Sequence, residues 1–205
     1  MSKRYRGRPQ GQTGQAPIRK PDEIKRLFRL AKSRPRMSMK AEIALCLSLY
    51  LGLRAKEIAS LKSADVYDEN GRVRDVLHLR AAYTKGAKTR NVFLAAPKLR
   101  QHLADYGRAT GIDQRPQAPL CRSQKGGTFR AGSMARFLKK LYIEAGLTEA
   151  SSHTGRRTFI TSLAERGIDL KAIAVLAGHS NIRTTALYVD ASPLKLSRIL
   201  SDVSW

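Results

Sequence analysis

The sequence is poor in acidic side chains and in cysteine, and it has no long apolar run. Its 16 aspartates and glutamates are scattered, so they offer no cluster of carboxylates to hold Mg²⁺. Cys46 and Cys121 lack the spacing of a zinc site, and we expect buried thiols in a reducing compartment. No run approaches the roughly 18 apolar residues of a membrane span, and no apolar segment follows the basic N-terminus as in a secretion signal. These absences predict a cytoplasmic protein that uses no metal.

Positive charge is what the chain has in excess. Lysine and arginine number 39 and give a formal net charge of +23, while 42% of the residues are hydrophobic, as in an ordinary folded protein. A globule with a field of that sign concentrates polyanions, which predicts a nucleic acid as the partner. Charge alone does not separate DNA from RNA, so the motifs have to decide between them.

The first 20 residues predict a basic, flexible arm. They contain six basic residues, no acidic ones and no hydrophobic period. Arg6 and Arg8 lie in Arg-Gly-Arg-Pro, which resembles the core of an AT-hook that enters a narrow A·T-rich minor groove. The simpler interpretation, a solvated tail that contacts phosphates without specificity, is preferred for so short a motif.

The rest of the chain predicts an α+β domain that is mainly helical. Strand and turn signals between residues 66 and 94 predict a small antiparallel sheet of about three strands, with Tyr83 in one of them. Helical periodicity and end signals surround this sheet on both sides. The first helix is expected to begin at Pro21. Further helices are expected over 38–51, 97–109, 132–145, 154–166, 169–177 and 183–190.

Histidines and arginines near one tyrosine predict attack on a phosphate by a phenolic oxygen. A phenol with an ordinary pKa of about 10 needs help in losing its proton, and the departing oxygen needs a proton donor. Arginine can bond two oxygens of a phosphate that gains charge in the transition state. The sequence supplies candidates for every part of this reaction: Arg54, Lys85, His153, Arg156, His179 and Tyr188.

These segments, taken together, resemble the catalytic domain of the tyrosine recombinases, also called the phage integrase family. Gly-Leu-Arg-Ala-Lys-Glu-Ile around Arg54 is similar to the family's first arginine box, and Lys85 to its hairpin lysine. His153-Thr-Gly-Arg156 is similar to the His-x-x-Arg box, and Gly178-His179-Ser180 to Tyr188 to the box with the nucleophile. The resemblance extends over residues 21–192 in the family's order, which is the expected catalytic domain.

The resemblance implies a site-specific recombinase that cleaves and rejoins DNA without metal, ATP or another cofactor. Tyr188 would form a 3′-phosphotyrosine, Arg54 and Arg156 would bind the phosphate, and His179 would hydrogen-bond it. Lys85, which we prefer to Lys88, would protonate the leaving 5′-oxygen, and His153 would handle the tyrosine proton. Glu57 would support the site. Further DNA contacts are expected from Arg6, Arg8, Lys88, Arg90, Arg157 and Arg183.

The implied partners are double-stranded DNA with specific recombination sites and further copies of this chain, as a tetramer on DNA near the nucleoid. The family usually has a DNA-binding domain before the catalytic one, so the chain resembles compact members that consist of the catalytic domain. Accessory DNA-binding proteins would then help to hold the DNA. Residues 193–205 predict an amphipathic helix after Pro193, which either docks into a neighbouring subunit or packs on its own domain.

Two departures from the family pattern follow His153. Gly155 replaces the usual leucine, which we explain by a helix that begins after it, and Arg157 replaces a frequent histidine. Arg157 contacts DNA or points to solvent. Two rival functions also stay open: strand cleavage and resealing like that of a type IB topoisomerase, and a DNA-binding regulator with the same fold but no reaction.

Overall fold

The computed structural model describes residues 21–34, 38–84, 88–123 and 126–188. The expected basic arm with Arg6 and Arg8, the hairpin residue Lys85 and the segment 193–205 lie outside the described residues. Nine α-helices and one antiparallel sheet make up the described part. The helices are α1 (Pro21–Lys32), α2 (Ser38–Leu51), α3 (Ala55–Ser60), α4 (Ser63–Val66), α5 (Pro97–Thr110), α6 (Ala131–Glu144), α7 (Thr154–Glu165), α8 (Leu170–Ala177) and α9 (Ile182–Ala186).

The sheet has two strands in the described residues, where the sequence predicted about three. Strand β1 (Val76–Leu79) pairs antiparallel with β2 (Arg90–Phe93). Tyr67 and Val73 form only an isolated bridge, and Tyr83 lies in a short 3-10 helix (Ala81–Tyr83). The third strand is absent there because Ser63–Val66, at the start of the predicted strand region, folds into the one-turn helix α4.

Helix α2 lies at the centre of the main hydrophobic core. Eight of its 14 residues are buried, including Leu45 and Leu47, which explains its apolar composition on all sides. Helices α1, α5 and α7 pack against it. Both cysteines are free and buried, as predicted. None of the helices described is long and apolar enough to cross a membrane.

A second, smaller hydrophobic cluster holds the C-terminal helices together. Its buried members come from α7 and α8, and Phe159, Leu163 and Tyr188 pack against it. Helix α7 belongs to both parts, because it also packs on α2. The candidate site residues on α7, α8 and α9 are therefore positioned by this small cluster, and those near α3 by the main core.

Candidate functional site

Three arginines converge on the C-terminal end of helix α8. The last carbonyl groups of a helix have no partner within the helix, and they form the negative end of its dipole. Each arginine donates to one of three successive carbonyls at this end. The bonds are Arg90 Nη1 to Leu176 (2.6 Å), Arg156 Nη2 to Ala177 (2.6 Å) and Arg54 Nη2 to Gly178 (3.4 Å). The helix end thus gathers positive charge contributed by three separate segments.

Glu57 is the carboxylate that balances part of this charge. Its side chain is fully buried, and its two oxygens accept from Arg54 Nη1 (3.0 Å) and Arg90 Nη2 (3.0 Å). The backbone N–H of Arg54, the residue before α3, also donates to Glu57 at 2.8 Å. Glu57 therefore fixes the backbone and the side chain of Arg54 together, an arrangement that fits the supporting role predicted from sequence.

Arg156 is held in the first turn of α7 and is 4% exposed. Its Nη1 donates to the carbonyl of Gly52 at 2.6 Å, in addition to the bond with Ala177. Burial, followed by the positive charge of Arg54, lowers the pKa of Arg156 to about 9. The guanidinium is therefore positively charged at neutral pH, and two bonds do not exhaust its five N–H donors.

Gly155 lets helix α7 approach α2 and α6 closely. A Cβ atom at this position would come within 2.2 Å of Ser48 Oγ and 2.8 Å of Tyr142 OH. The helix begins at Thr154 and includes Gly155, so a late helix start, the explanation expected from sequence, is wrong. The missing side chain instead allows the close contact that sets the depth of Arg156.

The two candidate histidines lie at opposite ends of helices. His153 is the exposed residue that precedes α7, and His179 follows α8. Nδ1 of His179 is 2.8 Å from Oγ1 of the buried Thr185. Burial, followed by the charges of Arg156, Arg54 and Arg90, lowers the pKa of His179 to about 4. Partial burial, then Arg156 and Arg54, also lowers the pKa of His153. Both imidazoles are therefore neutral at pH 7.

Tyr188 lies beside His179 and Arg157, in the turn that follows α9. The sequence predicted a helix through this residue, but α9 ends at Ala186 and Tyr188 N donates to Thr185 O at 2.9 Å. The rings of Tyr188 and His179 are stacked with centroids 6.1 Å apart, and Arg157 Cζ is 5.4 Å from the Tyr188 centroid. Arg157 therefore contacts the candidate nucleophile, which neither sequence interpretation had foreseen.

The other predicted DNA contacts divide into outward and inward residues. Lys88 and Arg183 are exposed, whereas the Arg90 side chain is only 11% exposed and lies against Glu57. Lys88 N donates to Thr84 Oγ1 at 3.1 Å, and the segment 85–87 between these two residues lies outside the described residues. Among the residues described, no group of three or more His, Cys, Asp or Glu side chains could hold a metal ion.

Comparison with known proteins places this site in a family. The model of the phage integrase family matches residues 19–194. The tyrosine recombinase XerC of Brucella suis biovar 1 is 32% identical over 149 residues, which cover 72% of this chain and 45% of that protein. XerC of Chlamydia trachomatis serovar L2 is 33% identical over 155 residues, covering 74% and 46%. The chain thus spans about half the length of these curated relatives.

Solved structures show the same fold. The crystal structure of XerA recombinase aligns with a TM-score of 0.70 at 24% identity, covering 93% of this chain and 68% of that one. XerH site-specific recombinase bound to difH substrate aligns with a TM-score of 0.68 at 19% identity, covering 90% and 54%. The family match over residues 19–194 shows that the chain belongs to the phage integrase family.

Proposed function

We propose that this chain supplies the catalytic domain of a site-specific DNA recombinase that acts through a covalent 3′-phosphotyrosine at Tyr188. One observation carries the proposal: Arg54, Arg156, His179 and Tyr188 are gathered at the C-terminal end of one short helix. The first two supply fixed positive charge, the third a neutral imidazole and the fourth a phenol. Together with a proton donor for the departing oxygen, this is the set that transfer of a phosphodiester to tyrosine requires.

Arg54 and Arg156 would bind the scissile phosphate. Negative charge grows on its non-bridging oxygens as the phosphorus becomes five-coordinate, and buried guanidinium groups stabilise that charge strongly. The bond of Arg54 to Gly178 is long, at 3.4 Å, and its side chain is 26% exposed, so it can turn towards a phosphate. Arg156 is already fixed by two short bonds.

Proton transfers would complete each step. The Tyr188 oxygen forms a bond to phosphorus, its proton passes to His153, and the bond from phosphorus to the 5′-oxygen breaks. Lys85 protonates that oxygen, and His179 donates a hydrogen bond to the phosphate. Thr84, the residue before Lys85, is held near α3, because Lys56 Nζ donates to Thr84 O at 3.2 Å, which supports this role for Lys85 or Lys88. The free 5′-hydroxyl of a partner duplex reverses the reaction, so no cofactor is consumed.

The partners in this proposal are double-stranded DNA with recombination sites, further copies of the chain and accessory DNA-binding proteins. A related structure, XerH, is described as bound to its difH substrate, which supports DNA as the substrate here. The net charge of +23 supports the same substrate class. Such a protein would work at the nucleoid.

Trapping of the covalent intermediate tests the proposal. The substrate is a nicked duplex built from any inverted repeats that sequencing finds in the DNA flanking the gene, so that cleavage releases a short strand and cannot be reversed. The native protein should form an adduct that survives detergent. Tyr188→Phe should bind the same DNA without forming it, and Tyr50→Phe, on α2, should form it normally.

Each other outcome contradicts a part of the proposal. An adduct with Tyr188→Phe would exclude Tyr188 as the nucleophile. Relaxation of a supercoiled plasmid that carries no such repeats would indicate a type IB topoisomerase. Tight DNA binding by the native protein with no adduct on any flanking repeat would indicate a regulator that has kept the fold.

A further inference from the structure

We infer that Arg90 is a positioning residue of the active site: it locks the end of α8, which carries His179, to Glu57 and the phosphate-binding Arg54. The inference rests on the proposed function and adds to it a residue that contacts no substrate. Arg90 is the first residue of strand β2, and sequence alone predicted it as a DNA contact.

The guanidinium of Arg90 bridges two parts of the fold. Nη1 donates to Leu176 O at 2.6 Å, and Nη2 donates to Glu57 Oε2 at 3.0 Å. Leu176 belongs to the small C-terminal cluster of helices, whereas Glu57 belongs to α3 beside the main core. Only a planar fork makes both bonds at once, because the lysine ammonium is a single compact point of charge.

Burial separates the role of Arg90 from that of Arg54. The side chain of Arg90 is 11% exposed, against 26% for Arg54, and its bond to the helix carbonyl is 2.6 Å long, against 3.4 Å. Gly178 also covers the Arg90 stem: a Cβ at Gly178 would lie 2.5 Å from Arg90 Cδ. Arg54 can therefore leave α8 for a phosphate while Arg90 keeps the helix end in place.

The end of α8 determines where His179 lies. The backbone N–H of His179 donates to Ala174 O at 2.9 Å, so the histidine moves with the last turn of the helix. His179 in turn stacks on Tyr188 and contacts Thr185. A shift of α8 away from α3 would therefore carry both the imidazole and the nucleophile away from Arg54.

The charge balance at Glu57 also supports a positioning role for Arg90. Glu57 is shared by Arg54 and Arg90 in the native protein. If an uncharged residue replaced Arg90, Arg54 would be the one of these two arginines left to pair with the buried Glu57. Glu57 would then hold Arg54 more tightly. Arg54 would then be less able to turn to the phosphate, so loss of Arg90 should slow cleavage without removing a DNA contact.

Single-turnover cleavage of the trapping substrate tests this inference at saturating DNA. Arg90→Met should slow adduct formation about a hundredfold, the loss expected for small displacements of reacting groups, and should leave the Kd for DNA within about threefold. Arg90→Lys, which keeps the charge but not the fork, should also be slow. It serves as the second variant if Arg90→Met fails to fold.

Arg100→Met is the matched control. Arg100 also bridges a carboxylate and backbone carbonyls: it contacts Asp75 at 2.9 Å and Val73 O at 2.9 Å, and neither partner is a candidate site residue. This variant should lose thermal stability and yet cleave at the native rate. A merely structural role for Arg90 would make the two variants alike.

The outcomes distinguish this inference from the proposed function. If the native protein forms no adduct, the proposed function fails first. If it forms the adduct and either Arg90 variant does so at the native rate, the positioning role is overturned. A loss of DNA affinity in Arg90→Met as large as its loss of rate would also overturn it, because Arg90 would then be a DNA contact.

Discussion

The absence of a side chain at Gly155 determines how deeply Arg156 of α7 is buried. Arg156 is buried because Gly155, the residue before it, leaves room for Ser48 on α2 and Tyr142 on α6. A side chain at that position would push α7 outwards, away from the carbonyls of Gly52 and Ala177 that hold Arg156. Packing and the proposed phosphate binding by Arg156 therefore depend on the same residue.

Gly155→Ala should destabilise the protein by about 1–3 kcal/mol, the usual cost of inserting a methyl group into a packed contact. The measurement is the free energy of unfolding in urea. Gly132→Ala is the control, because the nearest atom to a Cβ there, in the first turn of α6, is Arg136 Nη1 at 3.8 Å. That change should be neutral or stabilise by up to about 1 kcal/mol, since alanine favours helix. Equal losses in both variants would contradict the close contact at Gly155.

His179 should make stability depend on pH in a defined window. Its pKa is about 4 in the folded protein, below the ordinary 6.5, so the unfolded chain binds the proton more readily between these values. The free energy of unfolding should therefore be level with respect to His179 above pH 6.5 and should fall as the pH drops towards 4. His179→Gln should reduce this dependence of the free energy of unfolding on pH. The reduction should correspond to at most about one proton bound on unfolding.

Urea unfolding of the native protein and of His179→Gln at several pH values measures the effect. Above pH 7 the two slopes should coincide, which provides the internal control. Parallel slopes through the whole range from pH 4 to pH 6.5 would show that burial and the nearby arginines do not lower the pKa of His179 as the structure indicates.

Helix α8 contributes to the candidate site through its C-terminal end. Gly178 follows the helix with φ of 68°, a left-handed conformation that ends many helices and favours glycine. It also lies against the stem of Arg90. The same residue thus ends the helix, exposes the carbonyls to the arginines and leaves space for the bridge to Glu57.

Gly178→Ala should slow cleavage more than its effect on stability explains. The left-handed conformation alone costs roughly 1–2 kcal/mol for alanine, and the added Cβ would displace Arg90 as well. Gly111→Ala isolates the first effect, because Gly111 ends α5 with φ of 61° and has no atom within 4 Å of a Cβ. Both variants should lose stability by thermal unfolding, Gly178→Ala the more because Arg90 is displaced as well, but only Gly178→Ala should lose adduct rate. A native rate in Gly178→Ala would contradict the coupling of α8 to the site.

The sequence predicted the elements of the site better than their contacts. Motif spacing placed Arg54, Arg156, His179 and Tyr188 in one active site, and the structure brings them together. The inward position of Arg90 was missed, although strand alternation indicates it: Val92, two residues on, is buried on the same face. A buried arginine needs a buried carboxylate such as Glu57, and no local pattern shows that pair.

Helix ends were predicted less well for a physical reason. The sequence extended α9 through Tyr188, because Thr185, Ala186 and Leu187 allow helix. In the structure Tyr188 leaves the helix to pack on the small cluster beside His179. Long-range packing of this kind overrides local preference, and a short helix such as α9 has few hydrogen bonds to oppose it.

The described part of the molecule has a large and a small hydrophobic cluster, which meet at a positively charged site. Helix α7 packs on both, and the arginine bonds to α8 add polar links between them. With a net charge of +23, the protein should bind DNA more weakly as salt rises, because each neutralised phosphate releases counterions. The slope of log K against log salt is therefore proportional to the number of phosphate contacts. It distinguishes residues that contact phosphates from charged residues that only contribute to the overall field of the protein.

Arg183 is suited to such a measurement, because it is exposed on α9, five residues before the proposed nucleophile Tyr188. Arg183→Gln should make the slope of log K against log salt less steep by about 0.9, the loss of one phosphate contact. Arg108→Gln removes the same charge from α5, where the arginine pairs with Asp105, and should leave the slope unchanged. If both variants changed the slope equally, net charge would account for the affinity. A change in Arg183→Gln alone would place the DNA backbone across α9, next to Tyr188.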